Sequence, residues 1–230
     1  MNKKNIFIIA GVVCIIGLLV ACMLIPAKEE EMFEENLLGI NYNVEGNLTS
    51  LKYETENPVV AMYIEDYGSV VIELYPDVAP NTVNNFISLI KNGFYDNNTF
   101  HRLVPGFVLQ GGDPTGNGTG GPGYNIKGEF TQNGFTNNLS HDKWVVSMAR
   151  SQDMDSAGSQ FFICIDDAKS LDGLYASFGK VIDGFDNIEA IVKRERIANT
   201  NSGQLQTNLV LKKTLIDLKG KEYPEVEKVS

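Results

Sequence analysis

Between residue 58 and about residue 218 the hydrophobic positions recur mostly every second residue. Val59-Val60-Ala61-Met62-Tyr63-Ile64 and Ser69-Val70-Val71-Ile72-Glu73-Leu74 flank Asp66-Tyr67-Gly68 and predict a β-hairpin. From Asn81 to Lys91 the period shifts: Val83, Phe86, Ile87 and Ile90 share one helical face, and Gly93 follows as a stop. Further strand-like runs lie at Phe107–Gln110, Val145–Ala149, Gln160–Ile165, Ser177–Val181 and Asn208–Leu218. A second helix fits Phe185–Arg194, with Ile188, Ile191 and Val192 inward. There is no internal repeat. Many strands and two helices predict an all-β-dominated fold, a closed or nearly closed antiparallel barrel whose ends are covered by helices. The bulky Phe and Ile residues along the strands predict a filled interior rather than a ligand-carrying one.

The first 57 residues follow neither period. Lys3 and Lys4 precede an uncharged apolar run from Ile6 to Ile25, long enough to span roughly 30 Å as a helix. Residues 1–25 therefore read as a signal peptide or membrane anchor, and the lysines place everything after Pro26 outside the cytoplasm. Two chemistries fit. Leu19-Val20-Ala21-Cys22 resembles a bacterial lipobox, with Cys22 as the lipidated residue, whereas Met23-Leu24-Ile25 continues the apolar run as an uncleaved anchor would. Residues 26–57 carry Lys28-Glu29-Glu30-Glu31 and Glu34-Glu35 and read as an acidic linker. Residues 58–218 form the barrel domain, and 219–230 a frayed polar tail.

Composition narrows the chemistry. A formal charge of −10 over 230 residues argues against nucleic acid as a partner and against docking on anionic lipid through basic patches. Cys164, His101 and His141 offer no metal-ligand spacing, so no metal and no cofactor is expected. Cys164 reads as a buried small hydrophobe, and His101 and His141 as hydrogen-bonded structural residues. Gly116-Asn117-Gly118-Thr119-Gly120-Gly121 matches a dinucleotide-binding pattern but runs into Pro122-Gly123, not a helix, and reads as a mobile loop. Asp153/Asp155 and Asp166/Asp167 read as turn residues.

Three segments carry a resemblance. They are Phe100-His101-Arg102-Leu103-Val104-Pro105-Gly106-Phe107-Val108-Leu109-Gln110-Gly111-Gly112-Asp113, then Ser147-Met148-Ala149-Arg150 with Gly158-Ser159-Gln160-Phe161-Phe162-Ile163, then Leu171-Asp172-Gly173-Leu174-Tyr175-Ala176-Ser177-Phe178-Gly179-Lys180-Val181. In this order and spacing they resemble the cyclophilin-type peptidyl-prolyl cis-trans isomerases, over about Pro58 to Leu218. The resemblance implies an eight-stranded antiparallel barrel capped by two helices, with its site on the outer face. It implies Arg102 as the catalytic residue with Gln110 beside it. Phe107, Val108, Phe162, Leu171 and Tyr175 would line a proline pocket, and Ala149 with Arg150 would lie along the substrate backbone.

The sequence departs from that pattern at Val108 (commonly Met), Arg150 (often Asn), Tyr175 (often His), Ser170 (frequently Trp) and Trp144 (usually Gly). The function implied is rotation about Xaa-Pro bonds in exported proteins, by a monomeric domain acting on proline-containing segments. The competing reading is a non-catalytic chaperone or adhesion module on the same fold.

Overall fold

The computed structural model describes residues 53–199 and 201–229; the apolar run Ile6–Ile25, Cys22 and most of the acidic linker lie outside them. In chain order the elements are β1 (Val59–Ile64), β2 (Gly68–Leu74), α1 (Pro80–Lys91), β3 (Asn98–Val104), β4 (Val108–Asp113), β5 (Asn125–Ile126), β6 (Val145–Met148), β7 (Phe161–Cys164), β8 (Ser177–Asp183), α2 (Phe185–Arg194), β9 (Ile197–Asn199), β10 (Gln204–Asp217) and β11 (Lys228–Val229). Two short 3-10 turns, Thr131–Asn133 and Lys169–Leu171, complete them.

The pairing order β1-β2-β8-β6-β7-β4-β3-β10 returns to β1, so eight antiparallel strands close on themselves: the periodicity predicts a barrel, and the family resemblance implies its eight strands. Closure depends on β10, whose 14 residues pair with β1, β3 and β9. Alternation decides what fills the barrel. Val60, Met62 and Ile64 on β1 and Val70, Ile72 and Leu74 on β2 are fully buried. Above them Phe86 of α1 packs against Tyr95, Phe161 and Phe178 with ring centroids 5.0–5.3 Å apart. Such rings each bury about 150–250 Å² and fill this end of the barrel with side chains.

The structure departs from the periodicity in four places. The run read as Phe107–Gln110 is β4, which extends to Asp113, and its partner β3 gives no alternating signal because Asn98 and His101 stand at buried positions. The glycine-rich loop after β4 is not a free loop: the Asp113 carboxylate accepts hydrogen bonds from the amides of Thr115, Asn117 and Gly118 and from the Thr115 hydroxyl. Burial alone would raise the Asp113 carboxyl, but the bonds from Thr115 and the amides of Gly118 and Gly120 bring it down to about 2. His101 is buried as expected, yet among the described residues neither of its ring nitrogens has a hydrogen-bond partner. Finally, the tail is not frayed. Tyr223 and Val226 pack on the core, the Asn81 side chain bonds the Glu227 backbone on both sides, and β11 pairs with β5.

Trp144, anomalous by sequence, sits at φ 77°, a left-handed conformation that costs a non-glycine residue about 1–2 kcal/mol. Its backbone bridges β7 and β8, donating to the Cys164 carbonyl (2.7 Å) and accepting from Val181 (2.9 Å). Its ring packs 5.2 Å from Phe185 at the start of α2, under the Lys143 ammonium. Trp144→Ala should therefore lose the packing and keep the strain, while Trp144→Gly loses both. The expected result is a glycine variant more stable than the alanine variant by about 1 kcal/mol, the reverse of their usual order. Denaturant midpoints of the two variants decide it.

Candidate active site

Strand register assembles the site. Arg102 on β3 stands opposite Gln110 on β4, and Gln110 opposite Phe162 on β7, so the three share one outward face. One row along, Val104, Val108 and Cys164 align in the same way. Leu103 points the other way, into the barrel, whereas the register shift between Phe100 and Arg102 leaves His101 buried beneath Gly118, at the edge of the same cleft as Arg102.

The guanidinium of Arg102 is fixed at two points. Nε donates to the Ser202 carbonyl at 2.7 Å, and Nη1 donates to Gln110 Oε1 at 3.1 Å. Gln110 is held in turn: its Nε2 donates to Gln160 Oε1 (3.0 Å), and Gln160 Nε2 donates to the carbonyls of Gly118 and Gly120. This relay works only because β4 and the Gly158–Gln160 segment nearly touch. At Gly112 (φ 82°) a Cβ would stand 2.4 Å from the Ser159 carbonyl oxygen. Burial lowers Arg102 from its ordinary value, with Tyr175 opposing the shift, and a guanidinium so placed stays cationic.

Beside this row lies an apolar cluster separate from the barrel core. Val108, Phe162, Cys164 and Ala168 form its floor, and Phe107, Ala149, Leu171 and Tyr175 its rim. Six residues named from sequence meet here. Cys164 and Ala168 were missed, since short floor residues carry no motif. Burial is the main cause that pushes the Cys164 thiol up to about 12, which makes it a space-filling group and not a nucleophile. Phe162 meets the Tyr175 ring edge-on at 5.8 Å. Arg150 leaves the β6 end with its guanidinium between the rings of Tyr175 (4.8 Å) and Phe130 (5.0 Å), its Nε on the Leu174 carbonyl. The Ala149 amide is taken by the Gln160 carbonyl.

His141 braces the pocket from behind, stacked on Phe162. Burial would raise the Asp172 carboxyl, but bonds from the Ser140 hydroxyl and from the His141 amide and ring lower it. An ionised Asp172 accepts, so Nδ1–H of His141 donates to it (2.9 Å) and Nε2 accepts from the Ser147 hydroxyl (3.0 Å). Protonating Nε2 breaks the second bond.

Burial lowers both His141 and His101 from their ordinary 6.5. The unfolded chain therefore binds protons that the folded chain refuses. Stability should be full above about pH 6.5 and fall below it, by up to about 1.4 kcal/mol per pH unit for each imidazole. Thermal unfolding between pH 7 and pH 5 tests this, and His141→Gln should flatten the slope.

Two openings flank the row. A polar cleft of ≈ 410 Å³ between Arg102, Gln110, Asn117 and Ser202 lies on one side. On the other a groove of ≈ 940 Å³ runs past Gln110, Ala149, Arg150 and Gln160 to Lys228 and Val229.

A closed eight-stranded barrel with an anchored arginine next to an apolar cradle on its outer wall is the architecture of one class of enzyme, which turns prolyl peptide bonds without breaking them. Residues 59–214 match the family model described as cyclophilin type peptidyl-prolyl cis-trans isomerase/CLD, and the chain belongs to that family. Its activity is cis-trans isomerisation of Xaa-Pro bonds.

The chain is 49% identical over 123 residues to peptidyl-prolyl cis-trans isomerase B of Bacillus subtilis (strain 168), covering 54% of this chain and 82% of the relative. It is 45% identical over 116 residues to a peptidyl-prolyl cis-trans isomerase of Synechococcus elongatus, covering 50% and 75%. Among solved structures it resembles the Cryptosporidium parvum cyclophilin type isomerase solved in the presence of the dipeptide Ala-Pro. The TM-score is 0.62 at 32% identity, covering 69% of this chain and 98% of that one.

Proposed function

We propose that Arg102 is the catalytic group of this isomerase and that Gln110 positions it. The proline ring of the substrate sits on Phe107, Val108, Phe162, Leu171 and Tyr175, while its backbone runs along Ala149 and Arg150. The observation that carries this reading is the two-point anchoring of Arg102 at the edge of an apolar cluster. Two of the five guanidinium donors are spent on Ser202 and Gln110, which leaves the others for substrate. The C. parvum relative was solved with Ala-Pro present, and the same prolyl unit is the ligand assigned to the pocket here.

Rotation about Xaa-Pro is opposed by amide resonance, with a barrier of about 18–20 kcal/mol. In the twisted transition state the proline nitrogen pyramidalises and regains its lone pair. A donor aimed at that nitrogen binds the transition state more strongly than the planar ground state, which accelerates rotation. The apolar cradle holds the ring while the flanking peptide turns.

We further propose that the domain works at the outer face of a membrane, held by residues 1–25, on proline-containing segments of exported proteins. The charge asymmetry of Lys3 and Lys4 before Ile6–Ile25 supports this topology. Mass spectrometry of membrane-extracted protein separates the two anchors: a mature N-terminus at an acylated Cys22, or retention of residues 1–21. The site is tested by Xaa-Pro exchange in a short peptide. Acceleration by wild type and its loss in a folded Arg102→Ala variant support the reading; equal acceleration by both moves the chemistry elsewhere.

A further inference from the structure

The C-terminal segment reaches the substrate side of the barrel. From Leu218 it crosses over the start of α1, where Asn81 clamps Glu227, and ends as β11 on β5. In register Lys228 pairs with Ile126 and Val229 with Asn125, and both line the ≈ 940 Å³ groove. Ala149 and Arg150 line the same groove, and Ala149 also belongs to the rim of the apolar pocket, so groove and pocket share an edge.

The charge of this groove is opposite to that of the chain. The sequence carries −10, yet among the described residues no aspartate or glutamate lines the groove, whereas Arg150 and Lys228 both do. Among the described residues neither cation has a carboxylate within salt-bridge distance. Rings and neutral carbonyls hold them in place instead: Lys228 Nζ lies 4.2 Å from the Tyr124 centroid, and Arg150 lies between Tyr175 and Phe130 with Nε on the Leu174 carbonyl and Nη1 on the Ser151 carbonyl. Cations oriented on aromatic faces and left without counter-ions form a prepared anion subsite. Glu227, the preceding residue, spends its backbone on Asn81 and does not line the groove.

We propose that β11 is a specificity element, and that Lys228 with Arg150 selects prolyl segments carrying an aspartate or glutamate a few residues from the proline. This rests on the assignment of the proline pocket to Phe107, Val108, Phe162, Leu171 and Tyr175. The selectivity is electrostatic and set at an exposed site, so it is modest: about three- to tenfold, the size of one or two exposed ion pairs. It weakens as salt shortens the Debye length.

The test uses the full chain in detergent micelles and peptides with Glu, Gln or Lys at each of several positions on either side of Xaa-Pro. Wild type should favour Glu over Lys in kcat/KM by about three- to tenfold at one position, and less in high salt. Lys228→Glu should bring that ratio to about one or below, and Lys228→Gln should give an intermediate value, with the fold of each checked by circular dichroism. Equal rates for the three side chains at every position overturn the proposal, as does a ratio that survives Lys228→Glu unchanged. Absence of exchange on every peptide, the neutral ones included, overturns the pocket assignment and the selectivity with it.

Discussion

Arg102→Ala should lower kcat/KM for Xaa-Pro exchange by about 100-fold while the protein stays folded. A hydrogen bond to a charged group contributes about 1.5–3 kcal/mol net, and removing a donor aimed at developing charge costs about 10²–10³ in rate. Arg102 is half-buried and on the barrel's outer wall, so truncating it opens no core cavity. Arg102→Lys should recover little. One ammonium cannot hold the Ser202 carbonyl and Gln110 Oε1 and still present a donor to the prolyl nitrogen.

Gln110→Ala leaves the guanidinium on its Ser202 anchor alone. Its effect should be smaller, about five- to tenfold, and should fall on kcat more than on KM. Exchange rates at saturating and sub-saturating peptide separate these cases. An Arg102→Ala enzyme within about threefold of wild type would remove Arg102 from the chemistry altogether.

What the sequence disclosed and what it hid divide along a physical line. Strands with one face inward write their burial as alternation, so β1, β2, β8 and both helices stand out from periodicity. Arg102, Gln110 and Phe162 are legible because they lie in contiguous segments whose spacing resembles a known family. Register then places them side by side without further help.

Three features had no such signature. The Ser202 contact is made by a backbone carbonyl on the β9–β10 hairpin, so no side-chain pattern encodes it. β11 is two residues long, in a tail whose composition is polar; its order comes from Asn81 and from Tyr223 and Val226, far away in sequence or isolated within it. Trp144 contradicts local backbone preference outright, and only the packing on Phe185 shows why a ring is kept there. Local patterns report burial and motif; they do not report contacts between distant segments.

Glu129 is the strongest instance of such a contact, and its removal should destabilise the fold more than the loss of Arg102 or Gln110 at the active site. α1 begins at Pro80 behind Ala79, which has no side chain to cap it. The orphan amides at the helix start are instead satisfied from 47 and 48 residues away. Glu129 Oε1 accepts from Asn81 N (3.0 Å), and Oε2 accepts from Thr82 N (2.7 Å) and from the Thr82 hydroxyl (2.6 Å). The carboxylate also sits at the positive end of the helix dipole, which favours a negative charge there.

Glu129 is 5% exposed and Thr82 fully buried, so water cannot replace the lost bonds. Losing a helix cap costs about 0.5–2 kcal/mol, and a buried donor left unmatched about 1–3 kcal/mol. Glu129→Ala should therefore lose about 3–4 kcal/mol, which for a domain of this size lowers Tm by about 10 °C. Glu129→Gln keeps one acceptor oxygen but turns an amide N–H₂ toward a backbone donor, and should lose about half as much.

Glu129 lines neither the polar cleft beside Arg102 nor the groove, so kcat/KM per folded molecule should hold below both transitions. Calorimetry on the three proteins ranks them. If Glu129→Ala melts within about 2 °C of wild type, α1 is held by its apolar face alone and the distant cap contributes nothing measurable.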